Sequence, residues 1–150
     1  MNLSDRIKAF EKLGDVLREL INKKKHPIFK KIYSENKFFT QNNVIQALIS
    51  ISGLLENYKI EKWLRPYNLS TDNKSKNIGV FTAGNIPLVG FHDFLCVLIL
   101  NNNFVGKLSS KDKILFKYVI KKLLQIEPRF RSKIYLKSNI LQSDLFICTG

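Results

Sequence analysis

Cysteine is scarce. The 150 residues contain 2, Cys96 and Cys148, both inside apolar sequence and too far apart for a disulfide framework or a zinc site, so reduced core thiols are expected. Proline (4) and glycine (7) are also few, and with 45% hydrophobic residues the composition excludes a disordered or collagen-like chain. Long apolar runs are absent: the longest, Phe94 to Leu100, has seven residues. A membrane-spanning helix needs roughly 18 to 20, so no membrane span is expected. The start, Met1-Asn2-Leu3-Ser4-Asp5-Arg6, lacks the basic, apolar and small-residue regions of a secretory signal and the glycine that myristoylation needs, which makes a cytoplasmic address the default.

Acidic residues are outnumbered, 12 against 25 basic, for a net charge of +13. Such an excess suits phosphate neutralisation, the sequence-independent part of nucleic-acid binding. The basic residues are however 20 Lys and 5 Arg, and Lys lacks the planar fork that reads guanine or phosphate. The charge is spread along the chain, +7 in residues 1–77 and +6 in residues 78–150. A solvated surface is therefore the expected role and no nucleic-acid partner is expected. A small basic module that binds nucleic acid or an anionic surface is the alternative function. At 17.4 kDa the chain is large enough to bury a sizeable core.

Leu3, Ile7, Phe10, Leu13, Leu17 and Leu20 recur at three and four residues, the rhythm of an amphipathic helix, with Ser4 placed to cap it. His26-Pro27 breaks the pattern, a short segment with Ile28, Phe29, Ile32 and Tyr33 follows, and Thr40 caps a stripe of Val44, Leu48, Ile51 and Leu55. Residues 1–67 thus read as a helical region ending at Lys62-Trp63-Leu64-Arg65-Pro66-Tyr67, and the polar stretch 68–77 as a linker. In residues 78–150 strands and helices alternate. Ile78 to Thr82 is a candidate buried strand, and Ala83-Gly84-Asn85-Ile86-Pro87-Leu88 leads into a helix through Leu100 with Pro87 near its first turn. Phe104 to Leu108 is the next strand. Ser109-Ser110 caps a helix carrying Ile114, Leu115, Tyr118, Val119, Leu123 and Leu124, closed by Glu127-Pro128, and Lys133–Leu136 and Asp144–Cys148 are further strands. This grammar predicts an α/β fold with βαβ crossovers, a parallel sheet, and ligands at the carboxyl ends of its strands.

No dinucleotide fingerprint or Walker loop is present. Thr82-Ala83-Gly84-Asn85 nevertheless sits where the first strand hands over to a helix, and Gly84 would let a ligand approach the backbone. A plain tight turn, with Asn85 as a helix cap, explains the same residues. Cys96 has no cationic sequence neighbour to lower its pKa, and His92 and Asp93, being adjacent on a helix, form no Cys-His or Ser-His-Asp arrangement. Packing or capping is the expected role of both.

The stretch Ala83-Gly84-Asn85-Ile86-Pro87-Leu88-Val89-Gly90-Phe91-His92-Asp93-Phe94-Leu95, with Gly106-Lys107-Leu108-Ser109-Ser110-Lys111-Asp112-Lys113, closely resembles the acyl-CoA reductases of the LuxC type, members of the aldehyde dehydrogenase superfamily. The likeness runs from Arg6-Ile7-Lys8-Ala9-Phe10 through Trp63-Leu64-Arg65-Pro66-Tyr67 to Thr149-Gly150. It implies a helical amino-terminal region followed by the first part of a Rossmann-like βαβαβ cofactor-binding domain, incomplete at the carboxyl end. It implies an NADPH-dependent reduction of an acyl thioester to an aldehyde through a Cys acyl-enzyme, with acyl-CoA or an acyl-protein thioester as substrate. An acyl-transferase or acyl-protein synthetase would be a partner, and the full-length protein a homo-oligomer.

Carried over by position, Asn85 is the neutral donor to the oxyanion, and Lys107 contacts the adenosine ribose, with Thr82, Ala83, Gly84, Ser109 and Ser110 around the cofactor. Where the superfamily commonly has Glu, this chain has Ser110 beside Lys111, which favours NADPH over NADH by removing a carboxylate that repels a 2′-phosphate. Helix capping by Ser109 and Ser110 is compatible with that role. Thr149-Gly150 matches the start of a Thr-Gly-Ser turn near the cofactor. The nucleophilic Cys of the family lies beyond the last position matched, so the 150-residue chain is expected to be a fragment without turnover.

Overall fold

The apolar rhythms become helices, and one hydrophobic core joins them to a sheet. In the computed structural model, which describes residues 1–67, 69 and 74–149, α1 (Leu3–Asn22) buries Phe10, Leu13 and Leu17 completely. Its cap is Asn2, not Ser4: the Asn2 side chain accepts from the Asp5 N–H at 2.8 Å, because the helix begins at Leu3 and Ser4 already lies inside it. α2 (Ile28–Glu35) starts after Pro27 and buries Phe29 and Ile32. α3 (Gln41–Leu54) is capped by Thr40 as expected, and α4 (Asn57–Leu64) completes the helical region. Asn68 and residues 70–73 of the expected linker lie outside the described residues.

β1 (Asn77–Thr82), β2 (Asn103–Lys107), β3 (Ile134–Leu136) and β4 (Leu145–Thr149) form one all-parallel sheet in the order β3-β2-β1-β4. β2 starts and ends one residue earlier than the apolar run suggested, since Asn103 pairs with Asn77 and Leu108 has already left the ladder. α5 (Phe91–Ile99) connects β1 to β2, and α6 (Lys113–Ile126) connects β2 to β3. The helix after β1 therefore starts at Phe91 with Gly90 as its cap residue, and Pro87 sits in the preceding turn rather than in the first helical turn.

The step from β3 to β4 differs from a βαβ crossover. It has to pass from one edge of the sheet to the other, three strand spacings or about 14 Å, which eight extended residues span without a helix. Residues 137–144 do so across the face turned away from α5 and α6, burying Ile140 at 2% exposure. Gly79 is required beneath them, as a Cβ there would meet Ser143 Oγ and the Phe146 ring at 2.8 Å.

The helix-covered face carries Ile78, Val80 and Phe104 into a core continuous with α1, α3 and α6. Phe94 stands at its centre. Its ring meets Phe104 at 4.9 Å and Phe116 at 5.7 Å edge-on, and Phe10 of α1 at 6.3 Å. Edge-to-face packing of this kind adds to simple area burial. A second tie is polar: Arg6 donates from Nε to the Ile99 carbonyl at 2.8 Å, joining α1 to the end of α5. Phe94→Ala should cost about 3 to 5 kcal/mol, because the Phe10, Phe104 and Phe116 rings around it belong to α1, β2 and α6 and cannot all collapse into the space. Urea unfolding tests this; a loss below about 1 kcal/mol would show that the ring cluster does not hold helices to sheet.

Candidate functional site

Parallel pairing brings the carboxyl ends of the strands to one side of the sheet. Register sets Phe81 beside Lys107 and Thr82 beside Thr149, so the carboxyl ends of β1, β2 and β4 lie together. Chain direction reverses its outward progress at β1: the chain adds β2 and β3 on one side and then β4 on the other. A crevice for ligands is expected where such connections diverge, outside the carboxyl ends of β1 and β4. The described residues singled out from the sequence for a cofactor or oxyanion role lie at this end, while a hollow of about 170 Å³, lined by Val105, Tyr135, Asn139 and Ser143, lies elsewhere, under residues 137–144.

Each site residue has a local cause. Thr82 is buried, and its Oγ1 accepts from the Ser109 N–H at 3.0 Å, tying the end of β1 to the turn after β2. Ala83 is half-buried. Gly84 is buried, but its missing side chain leaves room for protein rather than ligand: a Cβ would lie 2.2 Å from Ser109 Oγ and 2.9 Å from Lys111 Cβ. The turn after β2 fills the space beside its Cα, which accounts for glycine at this position by packing. Asn85 is exposed and does not cap α5, which leaves its amide facing solvent at the end of β1.

Ser109 does cap, accepting from the Lys111 N–H at 3.2 Å at the head of a 3-10 turn, Ser110–Asp112. Ser110, Lys111 and Lys107 are exposed, and the Lys107 ammonium lies 5.7 Å from the centre of the Phe81 ring, a cation–π contact that steadies the side chain. Gly150 lies outside the described residues.

Three residues not singled out from the sequence hold these turns in place. Asp112, only 2% exposed, accepts the Leu88 N–H on Oδ2 at 2.6 Å while its Oδ1 has no partner. Leu88 has φ 58°, a left-handed backbone that disfavours any side chain but is fixed by this bond and by burial of the Leu88 side chain. Asn36, after α2, is buried and donates from Nδ2 to the Lys111 carbonyl at 3.3 Å, with a longer contact to the Gly84 carbonyl at 3.5 Å. Glu35 accepts the Ile114 N–H at 3.0 Å and so caps the start of α6 from another helix. These contacts span 24 to 79 residues, which explains why no local pattern announced them.

The cysteines differ from the expected core thiols. Cys148 is exposed, since β4 is an edge strand. Cys96 is half-buried with its Sγ 3.6 Å from His92 Nδ1, one helical turn away, so a Cys–His contact does exist. The i, i+4 spacing is the signal that could have found it. Burial pushes the Cys96 thiol up, with Asp93 adding to the effect, which disfavours a thiolate there. Among the described residues no cluster of His, Cys, Asp or Glu is arranged to hold a metal ion.

No family model, curated protein or solved structure matches the chain.

Burial pushes the Asp112 carboxyl up to about 7, an effect that its bond from Leu88 opposes and nearby Glu35 reinforces. Between about pH 4 and 7 the folded chain then holds a proton that the unfolded chain has released, so the contribution of this group to stability is fully present below about pH 4 and is lost as pH rises through about 7. Asp112→Asn keeps an acceptor for Leu88 without the charge. It should flatten this dependence and leave the variant more stable than the parent near neutrality, by roughly 1 to 3 kcal/mol. Urea midpoints measured from pH 4 to 8 check it, and parallel curves for the two proteins would contradict it.

Proposed function

We propose that the chain is part of an NADPH-dependent acyl-CoA reductase of the LuxC type, in which the carboxyl ends of β1 and β2 form the adenosine-ribose side of a Rossmann-like cofactor site. The observation that carries this reading is the convergence of Thr82–Asn85, Lys107–Ser110 and Thr149 at one end of a parallel sheet, beside the β1–β4 boundary where its strand order reverses.

The residues present fit the phosphorylated end of the cofactor. Lys107, Ser110 and Lys111 are exposed together at the end of β2, and the one carboxylate of that turn, Asp112, is buried and turned towards Leu88, where it does not oppose an anion at the surface. Lys107 would bind the ribose, and Ser110 and Lys111 would accept a 2′-phosphate that a carboxylate at that strand end would repel. When bound, NADPH would supply hydride to an acyl thioester. Asn85 would offer its side-chain amide to the oxyanion formed as a thiol attacks the thioester carbonyl, a donor that needs no proton transfer. Thr82, Asn36 and Asp112 would hold this segment without touching substrate. The raised pKa of the half-buried Cys96 thiol disfavours it as the attacking group, so on this reading these 150 residues do not turn over substrate.

Affinity for adenosine 2′,5′-bisphosphate should exceed that for AMP by about tenfold, the effect of one added phosphate beside two lysines. Lys107→Ala should weaken both ligands, and Ser110→Glu should erase the preference for the 2′-phosphate. Titration calorimetry measures each. Equal affinities for the two nucleotides, or binding unaffected by Lys107→Ala, would remove the cofactor assignment.

A further inference from the structure

About two thirds of the net charge sits in two segments that are distant in sequence and adjacent in the fold. Residues 23–37 and 111–126 contain eleven lysines and no arginine, against two carboxylates, Glu35 and Asp112, a net of +9 out of +13. The even balance between the two halves of the chain conceals this concentration. α2 packs on α6, the His26 and Tyr118 rings meet at 6.0 Å, and Asn36 bonds to the Lys111 carbonyl, so the two segments form one side of the molecule.

Neither carboxylate balances the lysines: Asp112 is buried and Glu35 is committed to the Ile114 N–H. Ten of the eleven, Lys122 excepted, are exposed, and among the described residues Lys23 is the one that is ion-paired, to Glu19.

At the end of this side nearest the candidate site two apolar side chains project into solvent. Phe38 is 83% exposed and Ile86 55% exposed. Their turns are neighbours, since Asn36 reaches the Gly84 carbonyl, and Lys37 and Lys111 flank them.

We propose that this lysine side docks the protein on an anionic lipid surface, with Phe38 and Ile86 entering the headgroup layer. Compact ammonium groups spread over a helical surface suit the diffuse potential of anionic lipids, and an aromatic tip beside them supplies the apolar contact that such peripheral binding adds to the charge. A nucleic-acid interface would call for guanidinium forks or a series of stacking rings, and the side has no arginine. The docking does not rest on the reductase reading: the two share Lys111 alone, and the lysines replaced to test it lie outside the cofactor site. If both hold, the bilayer lies beside the site and its substrate class is acyl chains drawn from the membrane interface.

Sedimentation with vesicles tests it, using the 150-residue chain with phosphatidylcholine alone or with about 30 mol% phosphatidylserine at about 0.1 M salt. Binding should be at least about tenfold stronger to the anionic vesicles and fall by about tenfold or more at about 0.5 M salt. The variant Lys30→Gln, Lys31→Gln, Lys117→Gln, Lys121→Gln should lose most of that binding. Lys62→Gln, Lys74→Gln, Lys76→Gln, Lys137→Gln, with the same net charge, should lose less than about threefold. Phe38→Ser should weaken binding several-fold with the salt dependence retained, and circular dichroism confirms that each variant is folded. Equal binding to neutral vesicles, equal loss in the two fourfold variants, or tighter binding to a duplex oligonucleotide that vesicles fail to displace would overturn the proposal.

Discussion

Parallel pairing of β1 with both β2 and β4 is the constraint on which the functional reading of this chain depends. It aligns Thr82 with Thr149 and Phe81 with Lys107, so the ends of three strands separate in sequence lie side by side. A parallel sheet is built from crossovers, and two of them carry α5 and α6. These helices cover one face and meet α1 through the Phe94 ring cluster. The amino-terminal helices are thereby part of the same core as the sheet, and α2 supplies Glu35 and Asn36 to the turns at the strand ends.

The turns are ordered by buried polar groups rather than by glycine. Gly84 and Gly90 serve packing, the first against Ser109 and the second against the Thr82 methyl group, where a Cβ would come within 2.7 Å. The left-handed turn at Leu88 depends on a carboxylate 24 residues further along the chain. Burying Asp112 with one oxygen unsatisfied is costly, and the segment it holds carries Asn85 and Ile86 into solvent. Strain and unsatisfied polar groups concentrate where a protein positions functional side chains, which is consistent with this end of the sheet being the working end.

Much of this was legible in the sequence. The three-and-four rhythm marked α1, α3 and α6, Thr40 was identifiable as a cap, and short apolar runs located β1 and β2 to within a residue, whereas Ser109 caps the 3-10 turn before α6 and not α6 itself. The start of α5 was not legible, because Pro87 looks like a first-turn residue and the left-handed turn at Leu88 depends on a distant side chain. The contact of Cys96 with His92 was present as spacing. The concentration of lysine on one side was invisible to any count along the chain, since only the packing of α2 on α6 joins segments about eighty residues apart. Strand order, which places the candidate site, is likewise a property of tertiary pairing.

The most direct measurement is an amide chemical-shift map of the isotope-labelled chain titrated with NADPH. Shifts at Thr82 to Asn85 and Lys107 to Lys111, with little change around Val105, Tyr135 and Asn139, are the result the account predicts. Shifts confined to the hollow beneath residues 137–144, or none at any concentration, would contradict the placement of a cofactor at the carboxyl ends of β1 and β2.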